Sequence, residues 1–302
     1  MAQVLCDLKQ LTHLDLAPSP DTSMQPVALQ TVDYARLFPL GLRSLRMVRP
    51  CLDSEPLLLD HLTAVTELHL GDLWAEDVLP PAVQILHLND CRSIQPVAAG
   101  VGLQELHVAA DDCCFALSGA DLKQLTRLKA LSLCLFNCQH RSLLGLVAHL
   151  SVLPLRQLDL HINWSCPQFP SALLGVLGSC RQLTSLSLSQ PQPYTAPEIQ
   201  QLSAQLQQLR LLQHLRIAAG SSGAAAQQLE PRSAELFTQA VVKLPVVKEV
   251  SIVGVLLGAA AANLAGAAVQ LTRLELYECK LPSSARFALT HKRPGTDVCI
   301  RD

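Results

Sequence analysis

Three histidines, His69, His87 and His107, occur in near-identical surroundings: Glu67-Leu68-His69, Ile85-Leu86-His87 and Glu105-Leu106-His107. Asp72, Asp90, Asp111 and Asp112 follow close behind them. Imidazole beside carboxylate supports three chemistries. It titrates near neutral pH, it meets charged groups of a partner, and it ligates zinc-class ions. No His-x-x-x-His or Cys-x-x-Cys pair accompanies these residues, so no metal and no cofactor is expected. Cys113-Cys114, Cys134 and Cys138 invite a thiol reading, and His107 lies near Cys113. No orienting residue or oxyanion turn goes with them, so no nucleophile is assigned. A Gly-rich phosphate loop, Gly-x-Ser-x-Gly and His-Glu-x-x-His are all absent from the sequence. No catalytic residue is predicted, and the chain is not expected to be an enzyme.

The elements that position these histidines are repeats. A Leu-x-x-Leu-x-Leu phrase, with Val at some first positions, begins at Leu11, Leu42, Val65, Val83, Leu103, Leu128, Leu155, Leu183, Leu212, Val247 and Leu271. Starts are 18 to 35 residues apart. The fourth and sixth positions are large and apolar in all eleven phrases, from Leu14 and Leu16 to Leu274 and Leu276. Alternation on a strand puts both on one face and the third and fifth positions on the other. Helical spacing follows several phrases: Ser142 to Leu150, Ser171 to Leu183, Pro197-Glu198-Ile199 onward, and Ser233 to Val242. Gln-rich 200–213 keeps Leu at helical spacing and is also read as helix. Leu79-Pro80-Pro81 predicts a turn or extended segment.

This pattern resembles leucine-rich repeat proteins over nearly the whole chain. Three repeats also carry the family's Asn or Cys three residues after the last leucine, at Cys91, Asn163 and Cys279. The repeats starting at Leu128, Leu155 and Leu183 are 27, 28 and 29 residues long and resemble the ribonuclease-inhibitor type. The fold class expected is α/β: a curved leucine-rich repeat solenoid of about eleven repeats. Its parallel strands would line the concave face, with helices and turns on the convex side. A solenoid buries each repeat against its neighbours, so residues 1–302 are read as one domain. The resemblance implies a protein partner, in roles such as ligase substrate adaptor, immune-type sensor, signalling scaffold or regulator of a small GTPase.

The fifth position then reads Asp15, Arg46, His69, His87, His107, Ser132, Asp159, Ser187, Arg216, Ser251, Glu275 down the concave face. Three consecutive histidines there should stack as a ladder. The predicted partner-binding patch is Glu67, His69, Asp72, Ile85, His87, Asp90, Glu105, His107, Asp159, His214 and Arg216. The plain alternative is that exposed strand positions in such a protein are simply polar and solvated.

Composition narrows the field further. Hydrophobic residues make up 49% and aromatics 4%, so Leu and Ala fill the core. The net charge of −2 gives no strong pull on nucleic acid or an anionic membrane. Eleven cysteines are an odd number, several sit in repeat slots, and no signal peptide opens the sequence. A reducing, cytoplasmic compartment is expected. The small apolar run from Val253 to Leu271 is long enough for a bilayer. The repeat frame continues on both sides of it, so a buried convex helix is predicted and no membrane insertion. Gly220 to Ala226 and Gln190 to Tyr194 read as surface loops. The first phrase starts within a few residues of the N-terminus, which reads as an uncapped end of a larger chain or complex. Polar 285–302 reads as a cap or a tail.

Overall fold

A computed structural model describes residues 10–16, 38–47, 56–71, 73–74, 76–89, 97, 102–110, 119–136, 147–162, 168–220, 231–266, 270–291 and 295–301. Twelve strands form one sheet in strict sequence order, and every neighbouring pair is parallel. They are β1 (His13–Asp15), β2 (Ser44–Met47), β3 (Glu67–Leu70), β4 (Ile85–Asn89), β5 (Glu105–Ala110), β6 (Ala130–Leu135), β7 (Gln157–Ile162), β8 (Ser185–Gln190), β9 (His214–Ala219), β10 (Glu249–Val253), β11 (Arg273–Tyr277) and β12 (Asp297–Arg301). This is the architecture of a leucine-rich repeat solenoid.

The register is identical from repeat to repeat. Fourth positions pair with fourth positions, as Leu131 with Leu158 and Leu158 with Leu186. The start of each strand is fixed by one recurrent rung. The N–H groups of the second and third phrase positions both donate to the carbonyl of the second position in the preceding repeat. Lys129 and Ala130 donate to Gln104 O at 2.7 and 3.0 Å, and Arg156 and Gln157 to Lys129 O at 2.7 and 3.0 Å. The inward leucines follow that register into a single continuous core. Of the predicted inward residues, those from Leu45 to Leu276 are all buried. On edge strand β1, Leu14 is half-buried and Leu16 is 40% exposed.

Helices lie between the strands: α1 (Gly119–Gln124), α2 (Gln168–Leu177), α3 (Ala196–Leu206), α4 (Pro231–Val242), a 3-10 helix (Gly258–Gly266) and α5 (Ser283–His291), and those from α2 to α5 pack on one another in series. Polar side chains tie neighbouring helices. Gln200 Nε2 donates to Ser233 Oγ at 3.0 Å, and Asn263 Nδ2 to Thr238 Oγ1 at 3.3 Å. Glu198 accepts from the Thr195 N–H at 2.7 Å and so satisfies a free donor at the start of α3. The Cys279 thiol, in the Asn/Cys slot, is buried and donates to Ile252 O at 3.5 Å and to Tyr277 O at 3.2 Å. Cys91 and Asn163 lie outside the described residues.

Several expectations are corrected. The helix predicted over 171–183 stops at Leu177. Beyond it the Gly178 N–H is taken by Gln205 Oε1 at 3.1 Å, and the chain turns so that Leu183 can open β8. The helix predicted over 200–213 stops at Leu206, because Leu209 and Leu212 are needed as buried anchors of the turn into β9. Gln190 to Tyr194 is not a surface loop as a whole. Gln190 ends β8 with its side chain buried, and the Tyr194 hydroxyl, also buried, donates to Leu188 O at 3.4 Å. The helix predicted in the apolar run after Val253 is present, as the 3-10 helix Gly258–Gly266. Apart from these corrections, polar 285–302, read above as a cap or a tail, holds most of α5 and the twelfth strand. Ser142 to Val147 and the 221–226 loop fall mostly or wholly outside the described residues. No helix among the described residues is long and apolar enough to cross a membrane.

One buried acid was not anticipated. Asp77 is 4% exposed, and its carboxylate accepts from the Leu57 N–H and the Trp74 N–H, both at 2.7 Å. It pins the extended segment of one repeat to that of the next. Asp77→Ala should cost about 1–3 kcal/mol, because the buried Leu57 N–H and the half-buried Trp74 N–H lose a charged acceptor. Leu160→Ala, at a fully buried inward position, should cost about 2–5 kcal/mol. Urea unfolding measures both, as a lower midpoint with unchanged slope. An Asp77→Ala midpoint equal to wild type would show that water replaces the carboxylate.

Candidate functional site

The outward rows of the sheet carry the candidate site. The fifth-position row is continuous in register from Asp15 through Arg46, His69, His87, His107, Ser132, Asp159, Ser187, Arg216 and Ser251 to Glu275 and Cys299. Neighbouring strands hold these side chains at one strand spacing, about 4.8 Å. At that spacing three consecutive imidazoles have one compact arrangement, face to face. His69 and His87 lie 4.1 Å apart between ring centroids with planes 2° apart, and His87 and His107 lie 4.3 Å apart with planes 7° apart.

Carboxylates from the third position flank this ladder. His69 Nε2 lies 2.9 Å from Glu67 Oε1, and His107 Nε2 lies 3.7 Å from Glu105 Oε2. Ile85 fills the third position between the two acids. The hydrogen bond from His69 holds the Glu67 carboxyl below its usual range. His87 has a ring on each side and no acid on its own strand. Burial, then the neighbouring His107 and His69, push its pKa down to about 4, with Glu67 opposing and Arg46 adding slightly. The central ring is therefore neutral at neutral pH. Asp72, Asp90, Asp111 and Asp112 lie outside the described residues.

Beyond the ladder the surface changes character. A groove of about 500 Å³ is lined by side chains from seven consecutive strands, His107 on β5 to Glu275 on β11. So many neighbouring strands can enclose one groove only if the sheet curves toward this face. Ala130, Ser132, Ser185, Ser187 and Ser251 contribute small side chains to its lining. Asp159 and Arg216 stand on either side of Ser187. Both are exposed, and neither forms an ion pair among the described residues. His214 is instead paired with Glu249 at 3.2 Å, and Arg273 with Glu275 at 2.6 Å.

Two features escaped the sequence reading. His161 sits on the seventh-position row between Cys134 and Ser189, with Nδ1 2.9 Å from Ser189 Oγ and its ring in an edge-to-face contact with Phe136, centroids 5.4 Å apart. Tracing the phrase one position further would have found it. The Cys134 thiol beside it is pushed up by burial and by Asp159, which is the wrong direction for a nucleophile. Cys113, Cys114 and Cys138 lie outside the described residues. The second feature is a basic rim where the strands begin. Arg127, Lys129 and Arg156 line a second cavity of about 420 Å³ with Gln104 and Gln182.

The chain matches no family model and no curated protein. Among solved structures, an internalin from Listeria monocytogenes is similar at 14% identity and a TM-score of 0.43, over 86% of this chain and 74% of that one. A chain of the yeast Rad7 and Elc1 complex is similar at 17% identity and a TM-score of 0.45, over 79% of this chain and 70% of that one.

The depressed pKa of His87 has a measurable sign. Between pH 6.5, its ordinary value, and about 4, the unfolded chain binds a proton there and the folded chain does not. Stability contributed at this site is complete above pH 6.5 and falls as pH drops through that window. In buffer containing a chelator, the urea midpoint should fall more from pH 7 to pH 5 for wild type than for His87→Gln. The His87 ring should titrate near 4 by NMR, and a midpoint near 6.5 would remove the desolvation account.

Proposed function

We propose that this protein is a non-enzymatic interaction module that binds a partner protein on its concave face. The observation that carries this reading is the groove over β5 to β11, with its small-residue lining and the uncommitted pair Asp159 and Arg216. Seven strands at about 4.8 Å spacing cover roughly 30 Å, the length of an extended segment of about nine residues. Small lining residues let a partner's backbone approach closely. Pairs already made inside the chain, as at His214–Glu249 and Arg273–Glu275, would have to be broken to serve a partner. Asp159 and Arg216 need no such rearrangement. A partner segment with a basic group over Asp159 and an acidic group over Arg216 complements them. The histidine ladder continues this surface toward β3 and gives it a second, aromatic contact area.

The substrate-adaptor and GTPase-regulator roles differ in the partner, which capture and mass spectrometry would name. Ser187→Arg fills the groove between Asp159 and Arg216 with a charged side chain. It should lower partner capture by about tenfold or more, equivalent to ~1.4 kcal/mol. Glu235→Ala, exposed on α4 behind the sheet, should leave capture unchanged. A variant with His69, His87 and His107 all changed to Ala separates the ladder's contribution from that of the groove. Recovery of the same partners by wild type, Ser187→Arg and the triple variant alike would move the binding surface off the concave face.

A further inference from the structure

We infer that Glu67, His69 and His87 form a binding site for a zinc-class divalent cation. The argument starts from the pleat. Residues two apart on a strand share a face, which places Glu67 and His69 side by side on β3. The parallel register then sets His87 of β4 directly opposite His69. Three ligating side chains thus stand at the corners of a triangle, and one ligand atom from each lies within 4.8 Å of the others. The set is two imidazoles and one carboxylate, a combination that suits zinc and its neighbours in the first transition row. All three side chains are half-buried, so ions reach them directly from the concave face.

The geometry is close to closure. Zinc bonds of about 2.0–2.1 Å in a tetrahedral arrangement separate ligand atoms by roughly 3.3 Å. His69 Nε2 and Glu67 Oε1 are already nearer than that, at 2.9 Å. The His87 nitrogen stands within 4.8 Å of both, and rotation about its side-chain torsions adjusts its position. Ligation requires the nitrogen lone pairs of His69 and His87 to converge. Binding therefore tilts the two rings out of the parallel stack, in which their planes are 2° apart. His107 stacks on the far side of His87 and lies outside the triangle. Three protein ligands leave at least one coordination position to water on the open face.

The test is a zinc titration of the whole chain against a chromogenic chelator, with cobalt as a spectroscopic probe of coordination. Thiols in general have affinity for zinc, so the readout is the difference between wild type and each variant. Wild type should take up one more equivalent than Glu67→Gln, His69→Asn or His87→Asn. Loss of an outer-shell partner already weakens metal affinity roughly 10–100-fold, so loss of a ligand should weaken it by at least about tenfold. His107→Asn should stay within about twofold of wild type. Circular dichroism of each variant checks that the fold is retained. Equal uptake by wild type and all four variants would overturn the site. So would equal losses in His107→Asn and Glu67→Gln, since that result describes a histidine surface without the triangle.

Discussion

The parallel register is the constraint on which the rest of this protein depends. No repeat here buries its own core. Leu158 is covered because Leu131 and Leu186 stand beside it at the same depth. That alignment is held by backbone groups, the two N–H donors that share one carbonyl of the preceding repeat. A slip by one residue would turn the inward leucines outward and the polar rows inward. The hydrophobic term thus enforces the register, and the backbone rung makes each correct placement template the next.

The same alignment that stacks leucines inside stacks whatever residue occupies the outward rows. Three histidines in one slot become a ladder with rings 4.1 and 4.3 Å apart. The electrostatic consequence falls on the central ring: burial, then His107 and His69 on either side, push the pKa of His87 down to about 4. Small residues in the next slots become the lining of a groove, because the register repeats their lack of bulk over neighbouring strands. Side-chain pairs form where an acid meets a basic group within or between adjacent strands, as Glu249 with His214 and Glu275 with Arg273. Asp159 and Arg216 are left over because Ser187 separates them.

Much of this was legible because leucine-rich strands have a strong, short signal. The inward residues, the order of the outward row and the stacking of His69, His87 and His107 all followed from counting positions in a phrase. The twelfth strand was missed for a specific reason. Its first slot holds Gly295, at φ +103°, where other phrases have Leu or Val. Its inward residues Val298 and Ile300 are only half-buried at the sheet edge. Helix ends were misjudged where one leucine satisfied two patterns. Leu183, Leu209 and Leu212 fit a helical period, and the structure uses them as turn anchors and strand openers. Asp77 gave no signal at all, because its partners are backbone groups up to 20 residues away.

By itself, the sequence determined that the chain would coil as stacked strands with histidines in one row, since periodicity is a local property written in residue order. Tertiary structure decided which neighbours those histidines have and what they can do together. No spacing rule within one strand brings Glu67, His69 and His87 to within 4.8 Å, because His87 arrives from the next repeat. Nor does any local pattern make Asp159 and Arg216 face one groove, because that depends on how the sheet curves. Chemistry on this surface is assembled across strands, and distance across strands is set by packing.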